Sequence, residues 1–190
     1  MKPIRLSLLL MLVIAATAFI PPATGVYRWD YKICIDTAGL RVFKQKPAAS
    51  TIHDLVHITR PQPAELKNQR ADAEKQQVTV TAFVVKDGKE GDQDYHLVLK
   101  SLTGSETLIA EIPDPTGAKL KGFPGLKKAY TDARAFVDAN IDDSPGEVRV
   151  SPHPIKVTVT GIIFFDKMAH GNGHAVNGVE IHPVLKINKT

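Results

Sequence analysis

The segment Ile155–Asp166, IKVTVTGIIFFD, constrains this chain more than any other. Ile155, Val157, Val159, Ile163 and Phe165 share one parity, the period of a strand with one buried face. Gly161 falls on that same parity, where a bulky side chain is expected. A glycine on the buried face of a long strand suits sharp curvature, as in a sheet that rolls up on itself. The pattern recurs in Val78–Lys86 (VTVTAFVVK), and the charged stretch Asp87–Asp92 then reads as a turn. Tyr95, Leu97 and Leu99 form one face of a second strand, with Asp94, His96, Val98 and Lys100 on the other. After the SLTGS turn a third strand runs from about Glu106 to Ile112, and Pro113-Asp114-Pro115 ends it.

Leu126, Ala129, Tyr130, Ala133, Phe136 and Val137 then recur at spacings of three and four, which predicts a helix to about Asn140. Strand signals return at Glu147–Val150, break at Ser151-Pro152-His153-Pro154 and resume at Ile155. Gly178–Ile187 supplies the last strand. Three strands, a helix and two strands is the order of an OB-type five-stranded barrel, and this mainly β fold with one helix is the expectation for residues 78–190. An α+β sandwich is its structural rival.

Upstream, Lys2 and Arg5 precede fifteen uncharged residues, Leu6–Ile20, too few for a comfortable bilayer span. Ala23-Thr24-Gly25 then offers a small-x-small cleavage site, with Ala16-Thr17-Ala18 as an earlier one. Residues 1–25 thus read as a signal peptide, which implies a secreted or periplasmic protein with no stable membrane span after cleavage. Residues 26–77 read as a lead-in. Its opening VYRWDYKICI alternates like a strand with an aromatic face. Thr51 and Asp54 fit a capping box for a short helix ending near Ile58. Glu65–Gln77 is polar, with the look of an exposed helix or linker.

Several pieces of the mature chain resemble a group of uncharacterised, mostly secreted bacterial proteins. They include Arg28-Trp29, Lys32, Asp36, Thr51-Ile52, Arg70, Glu74, Glu111-Ile112-Pro113, Thr160-Gly161, Phe165-Asp166 and His170-Gly171. The most distinctive are Asp92-Gln93-Asp94-Tyr95-His96-Leu97-Val98-Leu99 and Gly178-Val179-Glu180-Ile181-His182-Pro183-Val184. Members of the group often carry TGTD where this chain has Ile33-Cys34-Ile35-Asp36. The resemblance supports export and implies no activity.

The chemistry-bearing residues are histidines and acids. Asp94 and His96 share a strand face, and Glu180 and His182 repeat that spacing on the last strand. Imidazoles and carboxylates together suit a borderline divalent ion such as zinc, which makes Asp94, His96, Asp166 and His182 the candidate metal ligands. Hydrogen-bonded structural histidines are the competing reading, in which Asp94 caps the turn before it and Glu111 faces solvent or pairs with a basic residue. No HExxH motif fixes a metal geometry. The glycine-rich HGNGHAVNG loop offers His170, Asn172, His174 and Asn177 to a polar ligand; a plain connection between strands is its alternative.

Composition narrows the classes. The single cysteine, Cys34, excludes an intramolecular disulfide and any multi-thiolate metal site. The net charge of +4 is not concentrated on the barrel: residues 26–77 hold nine basic and six acidic side chains, residues 78–190 thirteen and fourteen. Nucleic acid is therefore not the expected partner. Ser144 and Ser151 lack a nucleophile elbow. The resulting expectation is an exported, non-catalytic binding or structural module for an extracellular or envelope ligand, with no required cofactor. A metal-dependent hydrolase using the His/Asp/Glu groups is the alternative. N-terminal sequencing of protein recovered outside the cytoplasm should begin near Val26, or at Phe19 if the earlier site is used; retention of Met1 in a membrane-embedded product contradicts cleavage.

Overall fold

The computed structural model describes residues 28–89, 91–141, 149–167 and 173–190. The apolar N-terminal run and its cleavage sites lie outside the described residues, as do His170 and Asn172. Among the described residues, no helix is long and apolar enough to cross a membrane.

Five strands close on themselves: β2 (Gln77–Lys89), β3 (Tyr95–Lys100), β4 (Thr107–Ile112), β5 (Arg149–Phe165) and β6 (Val179–Lys189), preceded by the two-residue β1 (Ala48–Ala49). The strand order is β1-β2-β3-β4-β6-β5, and β5 returns to pair with β2. All the barrel contacts are antiparallel except β4–β6, where Ile109 pairs with Glu180 and Ala110 with Ile181 in parallel. Three strands, a helix and two strands closed by a parallel pairing form an OB-type barrel. The inward parity is apolar throughout, with Val78, Val80, Ala82, Leu97, Leu99, Leu108, Ala110, Val157, Val159 and Ile181 in one continuous core.

Gly161 sits where the sequence places the bend. The β5–β6 register shifts on both sides of it. A Cβ there would collide with Ile181 Cγ2 and the Pro183 carbonyl, so the strands approach closely because this position has no side chain. The prolines 152 and 154 do not break the strand as their sequence suggests. Val84 pairs with Ile155 and Lys86 with Val150, so residues 151–154 lie opposite Val85 alone. The bulge interrupts the ladder at that point, and a missing N–H costs nothing there. Likewise β2 continues through Asp87 and Gly88 to Lys89, leaving a shorter turn than the charge pattern implies.

The helix between β4 and β5, α5 (Pro124–Asn140), buries Leu126, Tyr130, Ala133 and Val137, the expected face. The lead-in differs from expectation. Residues 29–32 form a helical turn, α1 (Trp29–Lys32), followed by α2 (Thr37–Val42), α3 (Ile52–Val56) and α4 (Pro63–Leu66). Arg28 and Cys34 take positive φ of 51° and 60°, and the consecutive residues Ile33 and Cys34 are both buried, which no period-two strand allows. The Thr51–Asp54 capping box is present, reciprocal, at the start of α3.

Residues 65–77 are pinned to the start of the lead-in and, through Glu74, to the barrel. Arg28 grips Glu74 through both carboxylate oxygens, at 2.6 and 2.8 Å. The fully buried Glu74 also accepts from the Ala71 and Phe165 amides. Arg70 pairs with Asp36 at 2.8 Å and donates to the Tyr31 carbonyl. A buried pair leaves an uncompensated charge if either partner is lost, at a cost of about 3–5 kcal/mol. These pairs therefore tie the two ends of the lead-in together, and the Phe165 amide on Glu74 joins them to the barrel.

Candidate functional site

The outward parity of β3, β4 and β6 is polar and yet buried. His96 on β3 pairs across the sheet with Glu111 on β4, and Ile109 pairs with Glu180 on β6, which puts Glu111 beside His182. Val98, Ile109 and Phe164 complete this face. The lead-in and the β5–β6 connection roof it. Arg28 and Lys32 lie over the Phe164 ring, at 5.0 and 5.8 Å from its centroid. Gly173, at φ 101°, comes so close to Val98 that a Cβ would sit 2.5 Å from its Cγ1. Arg60 ties both ends of the connection, donating to the carbonyls of Asp166 and Asn177 at 2.6 and 2.8 Å.

Glu111 is the centre. One oxygen lies 2.7 Å from His182 Nδ1 and 3.5 Å from Lys32 Nζ; the other lies 3.2 Å from His96 Nδ1. On the other side of the His182 ring, Nε2 is 3.6 Å from Asp94 Oδ2. Glu180 Oε2 stands 4.0 Å from His182 Nδ1, and Lys32 Nζ reaches Asp166 at 3.1 Å. Asp94, Glu111 and His182 each offer a ligand atom within 4.8 Å of the other two, an arrangement that can hold a metal ion. Asp94 and His182 are wholly buried and Glu111 is 3% exposed.

Hydrogen bonding in this cluster is incomplete. Asp94 Oδ1 accepts from the Asp114 amide at 2.8 Å, so it caps the turn after β4, not the one before β3. Asp94 Oδ2, Glu180 Oε2 and both ring nitrogens of His182 have no hydrogen-bond partner among the described residues. Glu111 approaches His182 Nδ1 to 2.7 Å as an ion-pair contact. Orphaned buried polar atoms are rare because each carries its full desolvation cost.

The electrostatics follow from four carboxylates sharing one ammonium and two imidazoles. Burial would raise Glu111, but His182, His96 and Lys32 outweigh it and hold the carboxyl well below its usual range. Burial pushes Glu180 well up, and the neighbouring Glu111 and Asp166 add to the rise. Burial also raises Asp94 to about 6, against an opposing pull from His182. For Lys32 burial works against the charge, yet Glu111, Asp166 and Glu180 prevail and raise its pKa. The cluster carries more negative groups than it can ionise together.

Of the expected ligands, Asp94 and His182 converge directly. His96 joins through Glu111, and Asp166 through Lys32. Glu111, expected to face solvent or pair with a basic residue, does pair with one, Lys32, but it is buried and central. The sequence shows only an acid at the outward parity of TLIAEI; the register of the hairpin places it opposite His96. Asn177, expected at a ligand, has its amide committed to the protein: it donates to the Leu55 and Ile58 carbonyls and accepts from the Val179 amide. His174 lines a groove with Val56, His57 and Glu106. Cys34 is fully buried beside Arg70 and Asp36, and burial pushes its thiol up to about 12, as suits a small core residue and not a nucleophile.

No family model and no curated protein matches the chain. Among solved structures, a Leishmania major Friedlin protein assigned as an aspartyl-tRNA synthetase is 14% identical over 76% of this chain, with a TM-score of 0.42; the chain spans only 21% of that protein's length. The OBody AM3L09, solved bound to hen egg-white lysozyme, is 13% identical over 77% of this chain and 100% of its own, at a TM-score of 0.41. A second OBody, AM2EP06, is 17% identical over 60% of this chain and 82% of its own, at 0.32. The OB-type assignment rests on strand order and the parallel β4–β6 closure, not on these likenesses.

The Asp94 shift has a measurable sign in metal-free protein. Its folded-state pKa lies above the ordinary 3.8, so the folded state holds the proton more tightly. That contribution to stability is present below about 4 and is lost as pH rises through about 6. Glu180 acts in the same direction, whereas Glu111 is depressed and acts at lower pH. Melting temperatures of chelator-treated protein should decline across pH 4–6, and Asp94→Asn, which keeps the neutral shape, should flatten part of that decline. An unchanged slope in the variant contradicts the assignment.

Proposed function

We propose that this protein is an exported, non-catalytic OB-type module in which Asp94, Glu111 and His182 hold one divalent cation, zinc by the chemistry of the donor set. The observation that carries the proposal is that four buried polar atoms on Asp94, Glu180 and His182 have no hydrogen-bond partner among the described residues. A cation at one nitrogen of His182 satisfies that atom and the carboxylate facing it. The same ion offsets the surplus of negative groups around Lys32. His96 and Glu180 complete the surround, and Lys32 holds Glu111 and Asp166 in place.

Burial favours this reading over the hydrolase. A catalytic metal keeps an open coordination position and needs a route for substrate. Here Asp94 and His182 have no solvent exposure, and the lead-in covers the face. OB barrels commonly take oligosaccharides and single-stranded nucleic acids on the outer face of their second and third strands. In this chain His96, Val98, Ile109 and Glu111 of that face are buried, while Lys100 and Thr107 at its edge are not. The buried part has no room for an extended polymer, so the protein's external partner binds at that edge or elsewhere on the module. Export is supported by the positively charged start and the short apolar run.

Elemental analysis after gentle purification should find about one retained equivalent of zinc. His182→Ala and Glu111→Gln should each lose most of it, while Lys189→Ala should keep it. Chelation should lower the melting temperature of the wild-type protein. Protein with no retained metal, and no change in melting temperature on adding zinc, overturns the proposal and leaves the cluster as a purely protonic network.

A further inference from the structure

We infer a second, independent metal site on the surface, formed by His53 and His57 of the lead-in and Glu106 before β4, which takes zinc or a similar borderline divalent cation. It shares no residue with the buried centre and does not depend on it. The capping box of α3 creates the pair. Thr51 and Asp54 fix where the helix starts, Ile52, Leu55 and Val56 turn into the core, and His53 and His57 must then fall one turn apart on the outside. Their rings lie 4.2 Å apart between centroids, with 42° between the planes.

The donors are already oriented. His57 Nδ1 lies 2.8 Å from the His53 carbonyl, a geometry in which Nδ1–H donates and Nε2 keeps its lone pair for a metal. Glu106 brings both carboxylate oxygens to 3.2 Å from His53 Nδ1 and one to 3.7 Å from His57 Nδ1. One ligand atom from each of the three residues lies within 4.8 Å of the others. The metal-free form of the arrangement is a His53 Nδ1–H donating to Glu106, and an exposed pair of this kind contributes little to stability. Two imidazoles and one carboxylate are, by contrast, a donor set that binds zinc with one position left open.

Exposure is consistent with that open position: the side chains of His53 and His57 are 65% and 60% exposed, and that of Glu106 32%. The cluster stands on the rim of a groove lined by Val56, Ser105, His174, Ala175 and Val176, and Val176 is 82% exposed. The open position therefore faces solvent at the edge of that groove and takes water. An ion here also clasps α3 to the β3–β4 turn, joining residues 49 and 53 positions apart in the chain.

Calorimetric titration of zinc into chelator-stripped full-length protein tests the site, alongside histidine ring resonances followed by NMR. Two equivalents are expected, the buried one and a surface one; the surface equivalent should be weakened roughly tenfold or more in His53→Ala and in His57→Ala, weakened less in Glu106→Gln, and unchanged in Lys189→Ala. Zinc should raise the melting temperature of the wild-type protein by more than that of His53→Ala. Equal metal-free melting temperatures of wild type and variants show that these exposed changes leave the fold intact. The ring resonances of His53 and His57 should move on adding zinc. An isotherm unaltered by His53→Ala, or zinc binding lost only in His182→Ala with the His53 and His57 resonances unmoved, overturns the surface site while leaving the buried one standing.

Discussion

A carboxylate buried among two imidazoles and an ammonium governs this structure. Glu111 lies on the outer face of the β-barrel, where OB-type folds ordinarily meet solvent or a ligand, and it is 3% exposed. Its ionised form is tolerable there only because Lys32, His96 and His182 surround it. Lys32 comes from the lead-in, so the lead-in must fold over the barrel for the cluster to be balanced. The two buried arginine pairs, Arg28–Glu74 and Arg70–Asp36, hold the two ends of that lead-in together, and the Phe165 amide joins Glu74 to the barrel. Fold and site are thus one arrangement: the barrel supplies the acids and imidazoles, and the lead-in supplies the counter-charge and the roof.

Much of the barrel was legible from the sequence because period-two apolar patterns and proline or glycine punctuation act locally. The helix at residues 124–140, the three strands before it and the bend at Gly161 all follow from such signals. The failures came where a tertiary partner decided the outcome. The aromatic run at residues 29–35 alternates like a strand, yet its residues fold as a helical turn with Ile33 and Cys34 both buried. Arg70 and Glu74 looked like an exposed linker because nothing local reveals that each meets a partner on a distant segment. Pro152 and Pro154 looked like strand breakers because the bulge that accommodates them is set by the pairing with β2.

The site was half legible for the same reason. Spacing along one strand put Asp94 with His96 and Glu180 with His182, and the structure brings both pairs to one face. Glu111 stayed hidden because its role depends on the hairpin register and on the parallel β4–β6 pairing, neither of which one strand contains. His53, His57 and Glu106 were missed for a related reason. The histidine spacing is visible on a short helix, but the carboxylate that completes the set arrives from the β3–β4 turn.

The central claim is that a cation sits among Asp94, Glu111 and His182. Anomalous diffraction from crystals of protein purified without added metal or chelator, recorded on both sides of the zinc absorption edge, tests it most directly. The account predicts an anomalous peak within coordination distance of one His182 ring nitrogen and of a carboxylate oxygen of Asp94 or Glu111. Well-ordered density for all three side chains with no anomalous peak between them, only water or direct aligned hydrogen bonds, would contradict it.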